Sequence, residues 1–160
     1  MKRVYLLRHG KTESESESGK DYDRRLTSQG EQDVYAVADK LVDAQERLDL
    51  IFTSAAPRAA ASAAIIAEKL LPDAEPEERE ELYKAGKEEI LRILQTLESS
   101  AETVMIVGHN PAMEETIEAV LNKHRKIGGG NIAWFEPECD TWSELSFETP
   151  IQRSGLIVPV

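Results

Sequence analysis

With 160 residues, 41% of them hydrophobic and 31% charged, the chain is long enough to bury a core without disulfides or metal and too apolar to be disordered, so one globular domain over residues 1–160 is expected. A formal net charge of −11, with no basic stripe, argues against nucleic acid and anionic lipid as partners. Cys139 is the only cysteine, which excludes an intrachain disulfide and a cysteine-based metal site and suits a reducing cytoplasm.

Met1-Lys2-Arg3 is basic like the start of a signal peptide, but Arg8 and His9 cut short the apolar run from Val4 to Leu7, so export is not expected. The alanine-rich stretch from Ala59 to Ala67 falls well short of the roughly 20 apolar residues of a membrane span. Val4-Tyr5-Leu6-Leu7 reads as a strand buried on both faces that opens directly onto Arg8-His9-Gly10. Residues 11–23 are polar, with Glu and Ser alternating to Ser18, and read as a long mobile loop bordering that strand end.

A helix is predicted to start near Thr27 or Ser28: Ser28 and Glu31 have capping-box spacing, and Val34, Val37, Ala38 and Leu41 recur on one face. Leu50-Ile51-Phe52-Thr53 is the second strand. After Ser54-Ala55-Ala56-Pro57-Arg58 comes a helix whose Ala59, Ala63, Ile66 and Leu70 share a face. Pro72 to Glu81 reads as a connection with at most a short edge strand, before a helix from Lys87 to Glu98 with its stripe at Ile90, Leu91, Leu94 and Leu97.

Thr103 to Val107 is the clearest strand. Gly108-His109-Asn110-Pro111 leads from it into a helix carrying Met113, Ile117, Val120 and Leu121, with Asn110 able to cap and Pro111 suited to the first turn. Met105 and Met113 fall on core faces. Gly128-Gly129-Gly130 has no following Lys-Ser/Thr and reads as a flexible connector rather than a phosphate-binding loop. Asn131 to Phe135 and Thr141 to Phe147 are expected to form an antiparallel hairpin through Pro137 to Asp140, which makes the sheet mixed.

Three strand ends thus deliver Arg8-His9, Arg58 and His109, and ligands of open α/β sheets collect at the carboxyl ends of strands. Converging cations suit a phosphoryl group, which carries about −1.5 to −2 charges near neutral pH and which a guanidinium can grip by two oxygens. The overall acidity does not forbid this. A charge pair at 4 Å is worth about 4 kcal/mol at an effective dielectric of 20, whereas exposed charges beyond about 8 Å are largely screened. A lone histidine is ordinarily structural. A neutral His9 with one ring nitrogen held by a backbone carbonyl would instead present a nucleophile. Arg58, a cation in the first turn of a helix, opposes the helix dipole unless an anion is bound. His109 precedes a helix N-terminus whose free N–H groups favour an anion. His124, in a basic helix end, and Arg25 read as solvated charges.

In order, Val4 to Gly10, Asp23-Arg24-Arg25-Leu26-Thr27 with Gly30, Ser54 to Ala59, Leu82-Tyr83 and Val107 to Pro111 resemble the blocks of the histidine phosphatase superfamily, and within it the small SixA-type phosphohistidine phosphatases. The resemblance covers nearly the whole chain. It implies a phosphoglycerate mutase-like fold: a three-layer α/β/α sandwich, mostly parallel, plus the C-terminal antiparallel hairpin. It also implies His9 as the phosphorylated nucleophile, with Arg8, Arg58 and His109 around the transferring group and Arg24 as a further phosphate-binding arginine. Arg25 stands where that branch usually has proline.

The expected activity is a phosphatase that forms a phosphohistidine on His9 and acts on phosphohistidine in a signalling or phosphotransfer protein, without cofactor or metal. A general phosphomonoesterase on small metabolites or phosphoproteins, and a non-catalytic module that binds phosphorylated ligands, are the alternatives. An ester leaving group would need a general acid. Glu80 and Glu81 are the candidates, although their acidic run is more often a solvated surface. The three histidines lack metal-ligand spacing.

Overall fold

The computed structural model describes all 160 residues. Its first strand, β1 (Arg3–Arg8), sets the layering: Val4 and Leu6 enter one core and Tyr5 and Leu7 the other, as the two-residue period of a strand dictates. The remaining elements are α1 (Ser28–Asp43), β2 (Leu50–Ser54), α2 (Pro57–Leu70), β3 (Glu77–Arg79), α3 (Lys87–Gln95), β4 (Thr103–Gly108), α4 (Ala112–Leu121), β5 (Ile132–Pro137) and β6 (Ile151–Ile157). They build one six-stranded sheet in the order β3-β2-β4-β1-β5-β6. The four strands from β3 to β1 are mutually parallel, and β5 and β6 add antiparallel pairs at the other side. α1 and α2 cover the face holding Tyr5, Leu7, Ile51, Met105 and Val107. α3 and α4 cover the face holding Val4, Leu6, Phe52, Val104 and Ile106. No helix is long and apolar enough to cross a membrane.

The expected three-layer, mostly parallel α/β architecture is therefore present, with differences at the element ends. α1 is capped by Thr27, whose side chain accepts the Gly30 N–H, and Ser28 is already helical. α3 stops at Gln95 rather than Glu98. β3 is the short edge strand allowed for between Pro72 and Glu81. Pro111 occupies the N-cap position of α4 rather than its first turn, and Asn110, one residue earlier, still accepts the Glu114 N–H through its Oδ1.

The hairpin partner is displaced along the chain. Thr141 to Phe147 is not a strand, and β5 pairs instead with Ile151–Ile157. The reason lies in Trp142, which opens a 3-10 turn at Trp142–Glu144, and Leu145, which follows that turn, both buried against the α3/α4 core. Trp142 Nε1 donates to the Ala101 carbonyl at 2.7 Å, and Gln95 Nε2 donates to the Leu145 carbonyl. Pairing as a strand would give up this burial.

Candidate active site

The sheet order brings the chemistry together. β1 and β4 are neighbours with Arg8 opposite Gly108, so the next residues, His9 and His109, emerge side by side, their ring centroids 5.0 Å apart. β2 lies on the other side of β4, and its last residue, Ser54, comes within 2.8 Å of His109 Nε2. Arg58 arrives from the first turn of α2. Arg8, His9, Arg24, Arg58 and His109 line a cleft of about 420 Å³, completed by Thr12, Asp21, Tyr83, Lys84 and Asn110, with Ser54 buried behind His109.

Glycine makes the turn after His9. A Cβ on Gly10 would stand 2.5 Å from the Gly30 carbonyl oxygen, and one on Gly30 would overlap the Lys11 carbonyl, so the loop and the first turn of α1 touch backbone to backbone. On the other flank the Gly128–Gly130 turn packs against the same strand end. Gly130, at φ 76°, donates its N–H to the Arg8 carbonyl at 2.9 Å. That triplet is thus held against the strand end that carries His9 rather than being a free connector. The Ile127 carbonyl before it accepts from Arg8 Nη1 and from Asn110 Nδ2.

His9 Nδ1 lies 2.7 Å from the Gly10 carbonyl oxygen. A carbonyl can only accept, so Nδ1 carries the proton and Nε2 a lone pair. Burial, then the nearby Arg58, Arg8 and Arg24 charges, outweigh that hydrogen bond and push the His9 pKa down to about 4, which keeps the ring neutral at pH 7. His109 is pushed down to about 3, first by burial and then by His9 and Arg58.

The polar segment at 11–23 is tied at both ends. Thr12 bridges to Leu26, Glu13 N–H donates to the Arg25 carbonyl and Thr27 N–H to the Lys11 carbonyl. This closure sets Arg24 beside the cleft, where its guanidinium donates to the Glu13 carbonyl, Thr12 Oγ1 and Asp21 Oδ1. Arg58, with a side chain only 6% exposed, donates to the Asp21 carbonyl at 2.7 Å and to Asp21 Oδ2 at 3.0 Å. Tyr83 completes the cluster by donating its hydroxyl to the same Oδ2 at 2.8 Å. That hydrogen bond, then those of Arg24 and the charge of Arg58, holds the Asp21 pKa at about 2. The cleft therefore has a cationic floor, with one carboxylate among its lining residues.

His9, Arg8, Arg58, His109 and Arg24 are brought into one cleft; Glu80 and Glu81 are not. Glu81 pairs with Arg79, and its own backbone N–H together with that arginine pulls its pKa down. Both are exposed on the 3-10 turn after β3. Arg25 and His124 are exposed, and Met105 and Met113 are buried. Sequence reasoning missed Asp21, Ser54 and Tyr83 as site residues. Ser54 and Tyr83 lay within the recognised blocks, but Asp21 could not be told from the other acids of its segment. No group of three or more His, Cys, Asp or Glu side chains is arranged to hold a metal ion.

Solved structures with this architecture carry related names. The Agrobacterium tumefaciens protein designated phosphohistidine phosphatase SixA is 29% identical and superposes with a TM-score of 0.78 over 85% of this chain and 92% of its own. Its namesake from Nakamurella multipartitia is 24% identical, with a TM-score of 0.80 over 96% and 95%. A protein histidine phosphatase SixA complexed with tungstate, 17% identical, has the same fold at a TM-score of 0.83 over 98% and 97%. Among curated proteins none matches. The sequence profile of the histidine phosphatase superfamily (branch 1) matches residues 4–83, the half of the chain that supplies His9, Arg24, Arg58 and Tyr83 to the cleft. By that match, and by the fold that sets His109 beside His9, the chain belongs to the histidine phosphatase superfamily.

Proposed function

We propose that the protein is a phosphohistidine phosphatase whose own His9 takes the phosphoryl group. The observation that carries this reading is the Nδ1 hydrogen bond to the Gly10 carbonyl, which leaves Nε2 as a lone pair on a neutral ring within a cleft lined by three arginines. In the first step Nε2 attacks phosphorus in line. The N–P bond forms as the bond to the leaving group breaks, and the leaving group keeps the electron pair. In the second step water attacks phosphorus, the N–P bond breaks with its electron pair returning to Nε2, and inorganic phosphate departs carrying the oxygen and both hydrogens of the water. Arg8, Arg24, Arg58 and His109 stabilise charge on the equatorial oxygens, since phosphoryl transfer is catalysed mainly by positioning and electrostatics.

The substrate class is set by the leaving group. An alkoxide needs a proton as it departs, and the one carboxylate lining the cleft, Asp21, is ionised well below neutral pH. A departing imidazole takes a proton readily and needs less help. We therefore read residues 1–160 as one histidine phosphatase domain, acting without metal or cofactor on a phosphohistidine-bearing signalling or phosphotransfer protein in the cytoplasm.

The test is turnover of a phosphohistidine protein and of p-nitrophenyl phosphate in the presence of chelator, beside the His9→Ala variant. Phosphohistidine hydrolysis that His9→Ala abolishes supports the reading. Faster ester hydrolysis would favour the phosphomonoesterase, and phosphate binding without turnover of either would favour the binding module.

A further inference from the structure

Ser54 is wholly buried at the end of β2. Its hydroxyl oxygen accepts the Ala56 N–H at 3.2 Å and lies 2.8 Å from His109 Nε2. A serine hydroxyl has one hydrogen to give. With Ala56 already donating to the oxygen, the acceptor within reach of that hydrogen is His109 Nε2. The other ring nitrogen, Nδ1, is buried and has no partner, on a ring that lines the cleft beside His9.

We propose that Ser54 is a positioning residue: by donating to His109 Nε2 it confines the proton of the ring to Nδ1, making that N–H a donor reserved for the phosphoryl group. The opposite tautomer carries two penalties in the same buried spot. The Ser54 hydrogen would lose its acceptor, and a lone pair on Nδ1 would repel the oxygens of an anion in the cleft. The depressed pKa of His109 agrees, because a neutral ring has a single proton to place. The serine is shut away from solvent, so its effect on an anion runs through His109.

For its catalytic consequence the inference rests on the phosphatase reading; the tautomer itself does not. The test is imidazole nitrogen NMR of the full chain, whose three histidines can be assigned by single His→Gln variants. His109 is expected to show a protonated Nδ1 and an unprotonated Nε2, and the Nδ1 proton is expected to move downfield on saturation with inorganic phosphate. Ser54→Ala is expected to mix the tautomers and to lower kcat about tenfold or more with little change in KM, while Ser54→Thr, which keeps the hydroxyl, restores both.

A protonated Nε2 in the unsubstituted protein overturns the proposal, as does a Ser54→Ala protein with unaltered tautomer and kcat. If Ser54→Ala does not fold, the spectrum of the unsubstituted protein and of Ser54→Thr still decides. A chain that turned over no phosphorylated compound would overturn the phosphatase reading, while the spectrum, recorded without substrate, would judge the tautomer separately.

Discussion

The carboxylate of Asp21 lies against the guanidinium of Arg58, Oδ2 to Nη2 at 3.0 Å, and its Oδ1 lies 3.0 Å from Arg24 Nη1. Two arginines read as phosphate ligands are thus already paired with an internal anion, which an incoming phosphoryl group must outcompete. Asp21 is more than half exposed, so its pairing is weakened by solvent. Asp21→Asn keeps the shape and removes the charge. Inorganic phosphate is expected to bind about fivefold tighter to this variant by calorimetry, on the scale of a partly screened pair. Weaker binding would mean that Asp21 serves mainly to hold the arginines in place.

Gly30→Ala sets two effects against each other. In an open helix the substitution gains about 1 kcal/mol from propensity. Here the new methyl meets the Lys11 carbonyl, a backbone group that cannot turn aside, and overpacking of that kind costs about 1–3 kcal/mol. Net destabilisation in urea unfolding is expected, together with loss of activity, because Lys11 comes directly after the turn behind His9. A stabilised protein would contradict the close approach of the loop after His9 to the first turn of α1.

Acid is expected to destabilise the fold through its two site histidines. The unfolded rings protonate near 6.5, whereas the folded ones resist protonation to about 4 for His9 and about 3 for His109. Between those limits the unfolded chain binds more protons, so stability is complete above pH 6.5 and falls as the pH drops through the window. Replacing both histidines by Gln should flatten the stability curve between pH 4 and 6.5. An NMR titration of His9 with a midpoint near 6.5 would refute the assignment of a buried neutral ring.

Cleft residues and rim residues should separate kinetically. Arg58→Lys keeps a charge but loses the planar fork, and kcat/KM for phosphohistidine is expected to fall about a hundredfold. Glu80→Gln and Glu81→Gln are expected to change it by less than about twofold, since exposed charges outside the cleft contribute little. A large loss with either glutamate would restore a general-acid role on that rim.

Much of this was legible in the sequence, and for identifiable reasons. Strands buried on both faces, such as Val4 to Leu7, announce themselves as apolar runs, and the residues just after parallel strands of one sheet must gather along one of its edges; His9, Arg58 and His109 were found that way. β6 was not, because an edge strand with the sequence Ile-Gln-Arg-Ser-Gly-Leu-Ile has little apolar alternation, while Trp142 and Leu145 nearby imitate a strand by being buried. Asp21 was hidden for another reason. Its importance comes from long-range contacts with Arg58 and Tyr83, and no local pattern distinguishes it from Asp23 or Glu17.

Covalent chemistry at His9 can be read out by trapping the phosphorylated intermediate. The protein is mixed with a labelled phosphohistidine protein, quenched within milliseconds in alkali, and digested for mass spectrometry. One phosphoryl group is expected on the peptide that contains Arg8-His9-Gly10, lost on brief acid treatment and absent from His9→Ala. Rapid turnover with no label on His9, or label at full occupancy on another residue, would contradict it.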